Sequence, residues 1–411
     1  MNAAELQALQ ATYHDGLVSD TIPFWLKHGL DRECGGLLTG LDRDGSVIDT
    51  DKAIWLQGRA VWTFSTLVST VGQRPEWLDA ARHCLEFIRR HARGPEGKLY
   101  FTVTRDGRPL RMRRYAFSES FAAIGSAAFA RAAGAGQAAD EAVQFFAAYL
   151  KYNFEPGAMA PKTDPATRPT QGLAPHMITI ATAQELRVAL GDVPVGGRAC
   201  SEWIDRSVTA IRRHFFHPEL GALLELVAPD GSVLDHFDGR TLNPGHALEC
   251  AWFILREAKH RGGERELLRL GLDILDCMWA RGWDREFGGL YYFCDLKGWP
   301  VQEYWAEMKF WWPHNEAIIA TLLAWQLTGD AKYAAWHRLV HDWAHRVFPD
   351  PAHGEWFGYA HRDGRISTQL KGNLWKGPFH LPRMQWYGWQ LTNELLRPTG
   401  PGPSGPPETS G

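Results

Sequence analysis

Four histidines follow a proline at nearly even intervals along this 411-residue chain: Pro175–His176, Pro244–Gly245–His246, Pro313–His314 and Pro378–Phe379–His380. The prolines lie 69, 69 and 65 residues apart. Imidazole titrates near pH ~6.5, so it can take or give a proton at neutral pH. Proline is tolerated in the first turn of a helix, where its missing N–H has no partner to lose. Each pair therefore predicts a histidine at the start of a helix, where the positive end of the helix dipole keeps the ring neutral. Asn243 is a suitable cap for the helix beginning at Pro244, with His246 near its third position. A single histidine of this kind is more often structural than catalytic. Several that converge on one cavity supply a base and an acid for moving a proton on and off carbon. Carboxylates fall in the same segments, at Glu119, Glu249, Glu307 and Glu316. Glu249 is three residues beyond His246 and shares its helix face, where it would orient the imidazole or bind a hydroxyl. Arg59 offers a permanently charged fork of donors for a developing oxyanion. Trp305, Trp311, Trp312 and Trp375 offer flat apolar faces of the sort that wall sugar sites.

The elements that would position these groups are announced by a repeat. A glycine flanked by acidic or polar and then apolar residues recurs at Gly36, Gly97, Gly157, Gly221, Gly288 and Gly354, at steps of 61, 60, 64, 67 and 66 residues. Each interval holds two stretches with apolar residues three and four apart, the period of an amphipathic helix. One further helix before the first marker and one after the last bring the total to about twelve. Six such hairpins either stack as an open solenoid or close into a ring, and closure buries the ends that a solenoid must cap. The expected fold is all-α: an (α/α)6 barrel of inner and outer rings spanning 1–396, the first helix packing beside the last. The marker segments read as short turns or hairpins at the rim, with Asp-Gly turns at Asp44–Gly45 and Asp230–Gly231. Residues 397–411, rich in Pro and Gly, read as a disordered tail.

Composition excludes several classes. The 44 basic and 47 acidic side chains nearly cancel, and the one basic cluster, Arg108, Arg111, Arg113 and Arg114, is too short to track a nucleic acid and reads as a solvated loop edge. No apolar stretch reaches membrane-spanning length, and the N-terminus lacks a secretory pattern. The six cysteines are scattered without CxxC spacing, which fits a reducing cytoplasm. His337, His341 and His345 lie along one helix flank at metal-ligand spacing, but on an outer helix with no further ligand to complete a set, so packing is the expected role. No phosphate-binding glycine fingerprint is present.

Six segments in order, LQGRAVWTFS (Leu56–Ser65), RYAFSESF (Arg114–Phe121), NPGHALECAWFI (Asn243–Ile254), KFWWPHNEA (Lys309–Ala317), GEWFGY (Gly354–Tyr359) and KGPFHLPR (Lys376–Arg383), closely resemble the N-acylglucosamine 2-epimerase family, which also holds cellobiose 2-epimerases and mannose isomerases. The resemblance implies the (α/α)6 barrel and a proton-transfer pair at His246 and His380, assisted by Arg59 and Glu249. It implies sugar contacts at Trp311 and Glu316, and the expected substrate wall adds Tyr115, Glu119, His176, Glu307, His314 and Trp375. A histidine at 176 is closer to the free-sugar members, whereas TRPTQG (Thr167–Gly172) and NPGHALECAWF look closer to the acylglucosamine branch. The expected reaction is interconversion of N-acetylglucosamine and N-acetylmannosamine through an enediolate, with no required cofactor. The alternative is a 2-epimerase or aldose–ketose isomerase acting on mannose, glucose or cellobiose. A sugar-binding barrel without catalysis would not need two opposed histidines, and a glycoside hydrolase would need paired carboxylates instead. A nucleotide effector and a homodimer are implied by the resemblance alone.

Overall fold

The computed structural model describes residues 1–397; the segment read as a Pro/Gly-rich tail lies outside them apart from Arg397. The helices are α1 (Ala3–Asp15), α2 (Ile22–His28), α3 (Ile54–Thr70), α4 (Pro75–His91), α5 (Phe117–Ala133), α6 (Gly136–Phe154), α7 (Ala174–Leu190), α8 (Cys200–Ala210), the short α9 (Phe237–Arg240), α10 (Pro244–His260), α11 (Arg265–Gly282), α12 (Trp311–Thr328), α13 (Ala331–Val347) and α14 (His380–Leu396). They form an all-α toroid of helical hairpins. The inner ring runs α3, α5, α7, α10, α12, α14, and α4, α6, α8, α11, α13 and α1 pack outside it.

Patterning explains which helix goes where. Every residue of α12 from Trp311 to Ala324 is buried, as expected of a helix enclosed on all sides. In α4 only Trp77, Ala80, Ala81, Cys84, Leu85, Phe87 and Ile88 are buried, a single stripe facing inward. The inner helices α3 and α5 approach closely because both carry glycine at the crossing. A Cβ at Gly58 would lie 2.5 Å from the Phe121 carbonyl, and one at Gly125 would lie 2.6 Å from the Gly58 oxygen.

All six marker glycines have positive φ, between 56° and 82°. Each ends a turn that an L side chain would strain, which is why glycine keeps the beat. Among the described residues the strands are two or three residues long, in seven small antiparallel sheets, all at the rim except the Pro194–Ala199 hairpin between α7 and α8. A second repeat fastens the rim. Asp31 binds Lys52 Nζ at 2.8 Å and Arg105 at 2.9 Å; Asp284 binds Lys309 Nζ at 3.0 Å and Arg362 at 2.9 Å. Asp350 binds Lys371 Nζ at 3.0 Å and Arg43 at 2.8 Å. The three arginines come from equivalent Arg-Asp-Gly turns, each reaching back to the acid of the preceding repeat. The Arg43–Asp350 pair joins the first repeat to the last and so closes the rim.

Beneath it, α1 closes the outer ring. The Tyr13 hydroxyl lies 3.1 Å from His337 Nε2 and 2.9 Å from His341 Nδ1, and the edge of its ring packs on Gly388 of α14. His345 bonds the His341 carbonyl at 2.9 Å. The histidine row is thus a packed seam between α1 and α13, held neutral by burial: His337 is lowered to about 3 and His341 to about 2.

Candidate active site

The inner helices begin at one end of the toroid, and a cavity of about 770 Å³ opens there. Arg59, Tyr115, His246, Glu249, Trp311, Trp375 and His380 all line it. Asn243 caps α10 by accepting the His246 backbone N–H at 3.0 Å, which fixes where that side chain leaves the helix. The ring is held by Glu225, whose Oε2 lies 3.0 Å from His246 Nδ1. Glu225 is set in turn by the small sheet between Leu226–Val227 and Gln171–Gly172, its carbonyl accepting Leu173 N–H at 2.9 Å.

His380 is the first residue of α14, and its Nδ1 lies 2.7 Å from Glu316 Oε1. The Arg383 guanidinium stands 3.4 Å from the same nitrogen, but the shorter carboxylate contact fixes Nδ1 as the protonated one. In both rings Nδ1–H therefore donates to a carboxylate, and Nε2 is the atom left for chemistry. Glu316 is shared: Oε1 also accepts from Arg383 at 2.7 Å, and Oε2 accepts from Trp252 Nε1 at 2.8 Å. Arg383 spans from Glu316 to Glu249 Oε1, at 2.5 Å. Glu249, Glu316 and His380 form a group whose ligand atoms lie within 4.8 Å of one another, but the Arg383 guanidinium already bridges the two carboxylates.

The two imidazoles differ in basicity. Burial and the nearby Arg59 and Arg383 hold His380 well below the ordinary value. Burial also works against the charged form of His246, but the Glu225 carboxylate outweighs it and the net shift is upward. Helix position alone predicts a neutral ring at His246; the ion pair overrides it. Arg59 has no acidic partner among the described residues. Its guanidinium stacks on Trp55, Phe121 and Phe379, 4.5, 4.1 and 4.8 Å from the ring centres, and burial and Arg383 lower it to about 9. Arg59 Nε and Trp311 Nε1 are buried without a hydrogen-bond partner among the described residues.

A sequence model of the N-acylglucosamine 2-epimerase (GlcNAc 2-epimerase) family matches residues 35–380. The chain belongs to this family. It is 36% identical to the bovine N-acylglucosamine 2-epimerase over 388 residues, covering 92% of this chain and 90% of that protein. It is 24% identical to the cellobiose 2-epimerase of Bacteroides fragilis over 386 residues, covering 90% and 95%. The cellobiose 2-epimerase structure from Spirochaeta thermophila superposes with a TM-score of 0.81 at 20% identity, over 96% of this chain and 99% of that one, which establishes the shared toroid. As a member of the family the protein is an isomerase-class enzyme, a 2-epimerase or isomerase of amino or simple sugars.

Against this N-acylglucosamine 2-epimerase fold, five expected contacts lie away from the cavity, Glu316 among them, fully buried with its oxygens taken by His380, Arg383 and Trp252. His176 packs between Phe154 and Phe215, with ring centres 5.2 and 5.8 Å away, and burial lowers it to about 4. His314 is fully buried: its Nδ1 bonds the Phe310 carbonyl at 2.6 Å, its Nε2 accepts Leu290 N–H at 2.9 Å, and it stacks on Trp343. Glu119 is buried behind the wall, accepting Leu99 N–H at 2.9 Å and pairing with Lys98 at 3.4 Å. Glu307 is largely exposed and faces Arg362 at 3.6 Å. For the residues on helices the reason is rotational, since each step along a helix turns the side chain by roughly 100°, whereas Glu307 sits in the rim turn before α12. In α7 the inward stripe is Ala174, Met177, Ile178 and Ala181, so His176 points aside; in α12, Trp312 faces the cavity and His314, two positions on, faces α13.

Two expected partnerships also change. Glu225, not Glu249, holds His246, and Glu316 holds His380. Arg113, read as part of a solvated edge, lines the cavity and stacks on Phe101 and Trp375, 4.1 and 5.0 Å from the ring centres. Arg383 was visible as the third residue after His380, a same-face spacing. Glu225 had no local signal, because it reaches His246 across a fold contact 21 residues away.

Proposed function

We propose that this protein interconverts N-acetylglucosamine and N-acetylmannosamine by proton transfer at C2 through two histidines. The observation that carries the reading is the pair His246 and His380, which line one cavity with Nε2 atoms free and basicities displaced in opposite directions. Two titratable groups pushed apart in this way suit an acid and a base. Identity of 36% to an N-acylglucosamine 2-epimerase over nearly the whole chain supports the amino-sugar assignment.

In this reading the sugar enters as its open-chain aldehyde. Neutral His380 removes the C2 proton through Nε2, and the electron pair of the C–H bond becomes the C1–C2 double bond of an enolate that keeps the acylamino nitrogen on C2. The carbonyl electrons move to O1, where Arg59 stabilises the charge. Protonated His246 returns a proton to C2 on the opposite face, and the C1 carbonyl reforms with inverted configuration. Glu316 and Glu225 fix the two ring tautomers, and the exchanged protons come from solvent before the next turnover in the same direction. The atoms balance without a redox partner, and charge stabilisation comes from the guanidinium of Arg59.

Incubation with each sugar of a small panel in deuterated water, followed by NMR, tests this. N-acetylmannosamine is expected to give N-acetylglucosamine carrying deuterium at C2. Formation of a ketose, or turnover of mannose or cellobiose with none of N-acetylmannosamine, refutes the reading.

A further inference from the structure

The cavity has two unlike walls. Helices α3, α10 and α14 contribute charge: Arg59, His246, Glu249, His380 and Arg383. Helices α5 and α7 contribute mainly apolar side chains, Phe117, Phe121, Ile124, Met177, Ile178 and Ala181, with the Thr182 hydroxyl among them and Glu185 at the inner end. Ile178 and Ala181 are only half-buried although they lie on an inner helix, and they line the cavity. Ala174 and Ala181 are the small residues in this stripe, and Ala181, with no side-chain atom beyond Cβ, forms a recess between Ile178 and the floor at Glu185. The floor is closed: Glu185 binds Arg256 at 2.6 Å and accepts Trp62 Nε1 at 2.6 Å. Glu185 lies seven residues beyond Ile178, about 10 Å along the helix axis, so the recess has a definite depth.

A reducing sugar poised between His246 and His380 must send its other C2 substituent sideways. Most hydroxyls laid on the α5–α7 wall would leave water for apolar neighbours, Thr182 offering a single hydroxyl, at a net loss for a polyol. The mouth offers them donors and acceptors instead, at Arg113, Asn373 and Tyr359. A short alkyl group gains from the apolar wall. We infer that the α5–α7 wall is an acyl subsite, in which Ala181 and Ile178 receive the methyl of an N-acyl amino sugar and set the acyl length accepted. This rests on the amino-sugar reading above and adds where the acyl group lies.

The test uses N-formyl-, N-acetyl-, N-propanoyl- and N-butanoyl-mannosamine with the intact protein, Ala181→Phe and Ile178→Thr. Ala181→Phe fills the recess; the ratio of kcat/KM for N-acetyl over N-formyl is expected to fall at least thirtyfold, with the longer acyl groups lost altogether. Ile178→Thr, a gentler change that checks against misfolding, should lower the same ratio about fivefold, the scale of a lost methylene contact in an apolar pocket. Circular dichroism melts confirm that the variants are folded. Equal losses across the series in both folded variants overturn the acyl subsite and leave the amino-sugar reading intact. Failure of the unsubstituted protein to turn over any member of the series overturns the reading and the subsite together.

Discussion

His246 and His380 are each held by a carboxylate on Nδ1, yet one is made more basic than free imidazole and the other far less. The difference lies in who else shares the carboxylate. Glu225 serves His246 and no cation, while its second oxygen is buried without a partner. Glu316 is divided among His380, Arg383 and Trp252, so its charge is largely spent before it reaches the imidazole. Arg59 adds a second positive charge near His380. Solvent contributes too: the His246 side chain is 34% exposed and that of His380 10%. The lesson is that a carboxylate partner fixes a histidine's tautomer, and the number of cations around that carboxylate fixes its charge.

The most severe way to break the comparison is to remove one imidazole at a time. His380→Gln and His246→Gln are each expected to reduce net epimerisation by at least ~1,000-fold, within the range for a lost acid or base. They should not be equivalent in exchange. If His380 removes the proton of the gluco epimer, His246→Gln still exchanges deuterium into that epimer without inverting it, and His380→Gln does not. NMR of the recovered substrate reads the difference. Full net activity in either variant sinks the two-base scheme.

Arg383→Met is expected to come next. It leaves two buried carboxylates uncompensated, and breaking such a cluster costs about 3 kcal/mol of stability. Activity should fall about 100-fold, of the order of a lost positioning or charge-stabilising interaction. The pH profile carries the sharper signal. Loss of the guanidinium raises His380, so the acid limb of kcat/KM, where His380 must shed its proton, moves to higher pH. An acid limb that stays in place would show that Arg383 does not set the charge of His380.

The toroid and the two histidines were legible because both are periodic. The glycine markers recur for a backbone reason, and the Pro-His pairs recur because helices start at one end of a ring. What periodicity does not carry is rotation about the helix axis. His176 and His246 both occupy the third position of their helices and face differently, so register placed four histidines at one end and only two at the cavity. The Arg-Asp-Gly turns at 43–45, 105–107 and 362–364 were visible as strings, but their pairing with Asp350, Asp31 and Asp284 joins residues 74 or more apart and exists only in the closed rim. Glu225 escaped notice for the same reason at shorter range.

Glu225→Gln tests the other half of the comparison with a smaller effect. Burial already opposes charge on His246, and without the carboxylate nothing offsets it. His246 then loses its proton at lower pH. The alkaline limb of kcat/KM should move down in pH while the acid limb, set by His380, stays fixed. At pH 8 the rate is expected to fall about tenfold, and at pH 6.5 much less, since amide still accepts the Nδ1–H bond. The bell should be the same in both reaction directions, because the active pair carries one proton whichever ring holds it.

The smallest effect is expected where sequence and structure part. Glu307→Gln alters an exposed carboxylate whose partner, Arg362, is already bound to Asp284 at 2.9 Å. An exposed pair of this kind contributes little. The carboxylate lies outside the cavity lining, so kcat and KM for the sugar should both stay within about twofold, the scatter of a surface change. Glu307 nevertheless follows Trp305, which does line the cavity, on the same rim segment. A tenfold rise in KM with kcat unchanged would mean that this segment turns its carboxylate inward over bound sugar. Glu307 would then join the binding wall opposite His380, and the contrast between the two histidines would have to include a charge that approaches only with substrate.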